Sequence, residues 1–234
     1  MTGYGAISNI SDFEGLLLMT IEPLKATVAN TIRARIVAGA LDLGQRVSDK
    51  DLASELRVSR TPVREALLQL QAEGLIVMRP RSGTFVFELS PDEIKDICDL
   101  RGIFEMGAIR MGVALQQERL VSVLATRVAE ATEAFAKPDF SQCEALDTAF
   151  HETLIALSGN KYLIESYRTI SDKVRALRSR LPPTRERVGN AIAQHRRIVD
   201  LIALGRSDDA ADEISVHVRN VHRLLAVSAA RDAA

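Results

Sequence analysis

Tryptophan is absent from the 234 residues, and with 3 Tyr and 7 Phe the aromatic share is only 4%. A core must then come from Ala, Leu, Ile and Val, which suits a helical bundle. Cysteine is scarce as well. Cys98 and Cys143 lie far apart with no C-x-x-C pairing, which excludes a disulfide framework and a cysteine zinc site and leaves both as small core residues. Long apolar runs are missing too: none approaches the roughly 18 to 20 residues of a membrane span. Leu16-Leu17-Leu18-Met19 is too short for a signal peptide and has no basic flank, so a cytoplasmic protein is expected. No repeat of 20 to 50 residues points to a solenoid. What remains, 47% hydrophobic and 26% charged residues with 13 Gly and 7 Pro, is the composition of a globular chain. At about 100–200 residues per domain, two modest domains are the first expectation.

The net charge of −1 hides an uneven distribution. Residues 1–21 carry two acids and no base, 22–87 ten bases and seven acids, and 88–234 twenty bases and twenty-two acids. Between 57 and 81, five arginines face two glutamates. Local basic concentration, more than total charge, is what a nucleic-acid face requires.

Residues 1–21 show no sustained periodicity and read as a tail. From Leu24, apolar residues recur at helical spacing through Val28, Ile32, Ile36 and Val37, stopping at Gly39. Ser48 before Asp49-Lys50-Asp51 has the form of a capping box and predicts a short second helix to Leu56. Ser59 is placed to cap a third, carrying Val63, Leu67 and Leu70 and ending at Gly74. Pro62 falls in its first turn, where a missing N–H costs no bond. The period then changes to two over Ile76-Val77-Met78 and Thr84-Phe85-Val86-Phe87, two strands joined by the basic turn Arg79-Pro80-Arg81-Ser82-Gly83. Ser90-Pro91-Asp92-Glu93 opens an all-helical remainder. Helices are expected at about 91–115, 117–136, 140–158, 160–180, 185–205 and 207–229. The fold class is therefore mainly α: an N-terminal winged helix-turn-helix over 22–88 and a bundle of about six helices over 91–230.

Two short helices with a tight turn between them, followed by a β-hairpin, make a helix-turn-helix with a wing. The start of the third helix would enter the major groove. There Arg60 and Arg64 reach guanine edges or phosphates, and Ser59 and Thr61 bond the backbone. Lys50 would hold a flanking phosphate, and Arg81 at the wing tip would meet the minor groove or a phosphate. The stretch Val58-Ser59-Arg60-Thr61-Pro62-Val63-Arg64-Glu65-Ala66-Leu67, with Glu73-Gly74-Leu75 and Arg81-Ser82-Gly83-Thr84-Phe85-Val86, resembles the winged helix of GntR-family transcription regulators. That resemblance covers about residues 24–87 and adds the wing glycine Gly83 to the DNA-binding set. It implies double-stranded operator DNA as partner. Family members commonly have glycine where this chain has Arg57.

Three of the four histidines occupy apolar stripes. Asp147 and His151 stand four apart beside Leu146, Phe150, Leu154 and Leu157; His195 is in register with Ile198, Val199 and Ile202; His217 with Ile214, Val218 and Val221. His222 falls off this register. Singly, each is more often a hydrogen-bonded core residue than a ligand. Together, one carboxylate and three imidazoles suit a divalent metal ion such as Zn, Ni, Mn or Fe. The set resembles the metal-binding FCD ligand domain of the FadR-type GntR subgroup, over roughly residues 91–230. Asp99-Leu100-Arg101, Glu105 and His195-Arg196-Arg197-Ile198 share in the resemblance, and Gln194 stands where the family usually has glutamate. The resemblance implies a small carboxylate effector above the metal, with Arg101 as its clamp and Arg175 as a second cation. The residues leave an alternative open, an ion pair of Arg101 with Glu105 four positions on.

The leading expectation is a homodimeric transcription regulator, more a repressor than an activator. It would read a pseudo-palindromic operator and respond to a metabolite, and it would not be an enzyme. A metal sensor without organic effector is the second reading, and a metal-dependent hydrolase the third.

Overall fold

The computed structural model describes residues 24–137 and 141–232, without the side chains of 141, 222 and 225–232. The expected tail over 1–21, the chain break at Pro138-Asp139 and the side chain of His222 lie outside these described residues. The chain divides into two compact units, 24–34 with 46–85 and 35–45 with 86–232.

In the first unit, helix α1 (Leu24–Val37) begins with an exposed Leu24 and buries Val28 and Ile32 at helical spacing. A two-residue strand β1 (Arg46–Val47) follows. Ser48 then caps α2 (Asp49–Leu56), its hydroxyl accepting from the amides of Lys50 at 3.2 Å and Asp51 at 3.4 Å. Arg57 ends that helix at φ 56°, ψ 42°. A left-handed residue other than glycine costs about 1–2 kcal/mol, which this turn carries.

Helix α3 (Arg60–Ala72) takes Pro62 in its first turn and buries Val63, Ala66, Leu67 and Leu70. Ser59 occupies the N-cap position, but its hydroxyl makes no capping bond, contrary to the role expected of it. Strands β2 (Ile76–Arg79) and β3 (Gly83–Val86) form the expected hairpin. The sheet nevertheless has three strands in the order β1-β3-β2, with Arg46 paired antiparallel to Phe85. A two-residue strand is too short to leave a periodicity, so β1 was not anticipated.

In the second unit, Ser90 and Glu93 form a reciprocal capping box at the start of α4 (Pro91–Phe135). The two helices expected at 91–115 and 117–136 meet without a loop at Gln116, whose backbone leaves helical geometry at φ −158°, ψ 51°. Its side-chain amide donates to the carbonyl of Leu157 at 2.8 Å. Helices α5 (Ser141–Ala156), α6 (Lys161–Arg178), α7 (Arg185–Ala203) and α8 (Ser207–Asp232) follow. Asn160 caps α6 and Thr184 caps α7. Helix α4 packs against α5, α7 and α8 around an aliphatic core that includes Ile109, Leu124, Leu154, Ile198, Ile202 and Ile214. Both cysteines are buried thiols. Among the described residues no helix is long and apolar enough to cross a membrane.

Candidate DNA-reading face and candidate metal centre

Lys50, Ser59, Arg60, Thr61, Arg64 and Arg81 are all exposed in the first unit, and Gly83 is half-buried. Arg60, Arg64 and Leu68 succeed one another at four-residue intervals, so they share one face of α3. Leu68 is 56% exposed, an apolar side chain beside two guanidinium groups. A groove of about 700 Å³ runs past Arg60, Arg64, Leu68, Arg46, Gly83 and Thr84. Arg46 was not anticipated as part of this face. Gly83 has φ 122°, a backbone conformation that favours glycine, and the Arg46 guanidinium lies against it, 2.9 Å from where a Cβ would stand.

One acid faces the two arginines. Asp49, in the first turn of α2, accepts from Nη2 of Arg60 at 2.9 and 3.0 Å and from Nε of Arg64 at 2.5 Å. The bonds from Arg60 and then Arg64 hold its carboxyl below the usual carboxylate range. Sequence reasoning had taken Asp49 only as part of the helix cap.

In the second unit, Asp147 and His151 on α5, His195 on α7 and His217 on α8 converge, their ligand atoms all within 4.8 Å of one another. The three histidines are buried and Asp147 half-buried. Nε2 of His217 lies 3.2 Å from Nε2 of both His195 and His151. The Asp147 oxygens stand 3.6 Å from His151 Nε2 and 3.8 Å from His195 Nε2. Two nitrogens bound tetrahedrally at about 2.0–2.1 Å would be about 3.3 Å apart, so this spacing fits a zinc-sized ion.

The outer hydrogen bonds decide which nitrogens carry protons. His151 Nδ1 lies 2.8 Å from a Glu105 oxygen and His217 Nδ1 lies 3.0 Å from the Gln194 amide oxygen. Both partners accept, so both Nδ1 atoms carry the proton and both Nε2 atoms turn bare lone pairs inward. Burial lowers the pKa of all three imidazoles, for His195 and His217 well below the usual value, with the adjoining imidazoles and Arg101 acting in the same direction. For His151, Glu105 opposes that shift. An inward set of neutral imidazoles and one carboxylate is rich in acceptors and poor in donors, which is the chemistry of a cation site.

Glu105 is the hub of the outer layer. It accepts from Arg101 Nε at 2.6 Å and from the Tyr167 hydroxyl at 3.2 Å. Burial alone would raise its pKa, but Arg101 and His151 outweigh that and hold it well below the usual range. Arg101 is ion-paired with Glu105 and fully buried, and its Nη2 has no hydrogen-bond partner among the described residues.

A cavity of about 400 Å³ adjoins the cluster, and Arg101 is not among its lining residues. Asp147, His217, Gln194, Arg178, Arg187 and Arg223 are. Arg178, which bonds Asp147, carries no mark in the sequence; it lies about three turns of α6 beyond Tyr167, the hub's hydroxyl donor. Arg175 lies outside this cavity, half-exposed near Asp172 and Glu152. An i, i+4 acid within a buried helix was the one signal in the sequence that Arg101 had another use.

Comparison with known proteins agrees with both units. Residues 24–86 match the gntR family of bacterial regulatory proteins, and residues 96–220 match the FCD domain. The Nta operon transcriptional regulator of Aminobacter aminovorans is 30% identical over 176 residues, 75% of this chain and 82% of its own length. The gluconate operon transcriptional repressor of Bacillus subtilis is 33% identical over 136 residues, 58% of this chain and 56% of its own. A GntR transcriptional regulator from Rhodococcus sp. RHA1 shares the fold at TM-score 0.72 and 22% identity, over 86% of this chain and 96% of that one. The chain belongs to the GntR family, as a DNA-binding transcription regulator rather than an enzyme, with an FCD domain following its winged helix.

Proposed function

We propose that the FCD domain holds a divalent metal ion on Asp147, His151, His195 and His217, and binds a small carboxylate in the adjoining cavity. That occupancy then alters how the winged helix engages its operator. The convergence of four ligand atoms within 4.8 Å carries this reading. The metal would supply a positive centre for an anionic ligand. Glu105 and Gln194 hold the His151 and His217 rings with their lone pairs inward, and Phe150 stacks on His195 at 3.9 Å to fix the third. Arg178, Arg187 and Arg223 give the cavity guanidinium groups suited to carboxylate, a role in which Arg178 replaces Arg101. The Bacillus subtilis relative is the repressor of a gluconate operon, and gluconate is a hydroxy acid of this class. That relative is a repressor, which favours repression here.

The regulator acts as a homodimer on a pseudo-palindrome in the cytoplasm. Leu100, Ile103, Met111 and Leu115 along the first part of α4 are exposed apolar side chains that a second copy would cover. The effector shifts DNA occupancy only by binding two conformations with different free energies. Native mass spectrometry of the chain as purified tests the dimer and the metal centre together. The expected result is two subunits, one metal per subunit and release of metal in His195→Ala. A monomer would remove the dimer, and an unchanged metal mass in that variant would remove the metal centre. If chelation released DNA with no acid ever binding, the metal itself would be the signal.

A further inference from the structure

The acid among the DNA-facing arginines has no evident reason to be there on electrostatic grounds alone. A carboxylate near phosphates repels them, and Asp49 offsets one of the two positive charges that α3 presents. Its position in the first turn of α2 suits the helix dipole, yet Asp51 in the same turn already serves that purpose. The atoms it engages are more informative. On Arg64 it takes Nε, which leaves Nη1 and Nη2, the end-on edge of the guanidinium, free as a two-donor fork. On Arg60 both oxygens meet the single atom Nη2, whose second hydrogen still serves the other edge, so that guanidinium keeps a two-donor edge as well. Guanine presents O6 and N7 to such a fork in the major groove, whereas a phosphate needs only one donor. Arg64 is 62% exposed and Arg60 54%, while Asp49 is 20% exposed, so the acid lies behind two heads that remain accessible.

We propose that Asp49 is a positioning residue for sequence reading: by holding Nε of Arg64 it presets the end-on, two-donor edge of that guanidinium as a guanine reader. This rests on the DNA-binding activity of the family and goes beyond it by assigning the aim of Arg64 to the acid behind it. A carboxylate that merely competed with phosphate would act differently, because removing it would tighten all DNA alike.

The test uses the full chain and a duplex that the wild-type chain selects from a random-sequence library, with a shuffled duplex of the same composition for comparison. In Asp49→Asn the affinity ratio of selected to shuffled duplex falls at least about 10-fold, the cost of one disturbed bidentate base contact. The shuffled duplex binds as well as before or tighter, and the salt slope of its binding is retained. Asp49→Glu keeps most of the ratio. Arg64→Lys, at an exposed position, loses the ratio at unchanged melting temperature, and adding Asp49→Asn to it changes the ratio less than 2-fold. That last pair carries the test if Asp49→Asn alone melts early. Equal tightening of both duplexes, or an intact ratio in Asp49→Asn, overturns the proposal. A wild-type chain that selects no duplex removes base reading itself, a failure distinct from either.

Discussion

Each unit holds arginine against a carboxylate, and the two arrangements have opposite consequences. Asp49 grips Arg60 and Arg64 at the surface, where water and salt weaken the pair and each guanidinium keeps donors for a partner. Glu105 grips Arg101 where the side chains are 0% and 1% exposed, and there the pair is structure. The comparison separates two states of one residue type, an accessible guanidinium in the first unit and an architectural one in the second. Surface pairing aims a side chain, whereas buried pairing commits it.

The largest expected effect breaks the buried pair. Glu105→Leu leaves the Arg101 charge uncompensated in the core and also strips His151 and Tyr167 of their acceptor. Urea unfolding of the metal-free chain should show a loss of about 3–5 kcal/mol. Arg64→Ala should lie within about 0.5 kcal/mol of wild type in the same measurement. Equal losses in the two variants would erase the contrast between the units.

Two changes without large stability effects sharpen it. Gln194→Ala removes the acceptor behind His217, and metal affinity, read by competition with a chromogenic chelator, should fall about 10–100-fold. Undiminished affinity would mean that His217 is oriented by packing alone. Arg64→Ala should weaken the selected duplex by about 1–3 kcal/mol in a fluorescence-anisotropy titration while metal content stays unchanged. A loss of metal in that variant would mean the two activities are not divided as the two arginine environments suggest.

Much of this was legible in the sequence where a pattern repeats or a residue type is rare. The helices of the bundle announced themselves by spacing and by breaks such as Ser158-Gly159-Asn160, and three histidines on apolar stripes stood out because imidazole is unusual there. Other features left no local trace. Strand β1 is two residues long and exists only because Arg46 meets Phe85. The choice between clamp and ion pair for Arg101 depended on whether the interior of α4 was wet or dry, which spacing does not encode. Arg178 and Asp49 act through partners 31 and 11 or 15 positions away, and pairings at that range become visible only when the helices are assembled.

The smallest effect separates two serines at the starts of helices. Ser90 accepts from the Glu93 amide at 3.3 Å while the Glu93 carboxylate accepts from the Ser90 amide at 2.8 Å. Ser90→Ala should therefore cost about 1 kcal/mol in thermal unfolding. Ser59 begins α3 without a side-chain cap bond, so Ser59→Ala should leave stability nearly untouched and show its cost only in DNA affinity. The Ser90 effect should also depend on pH. The bonds from the Ser90 backbone and then its hydroxyl hold the Glu93 carboxyl below its usual 4.5. A depressed carboxyl binds fewer protons folded than unfolded, so its stabilisation is complete above pH 4.5 and disappears as pH falls through the lower folded value. The gap between wild type and Ser90→Ala should narrow on acidification below pH 4.5, and no such narrowing should occur for Ser59→Ala. A gap that stayed constant would mean the hydroxyl caps α4 without help from the carboxylate.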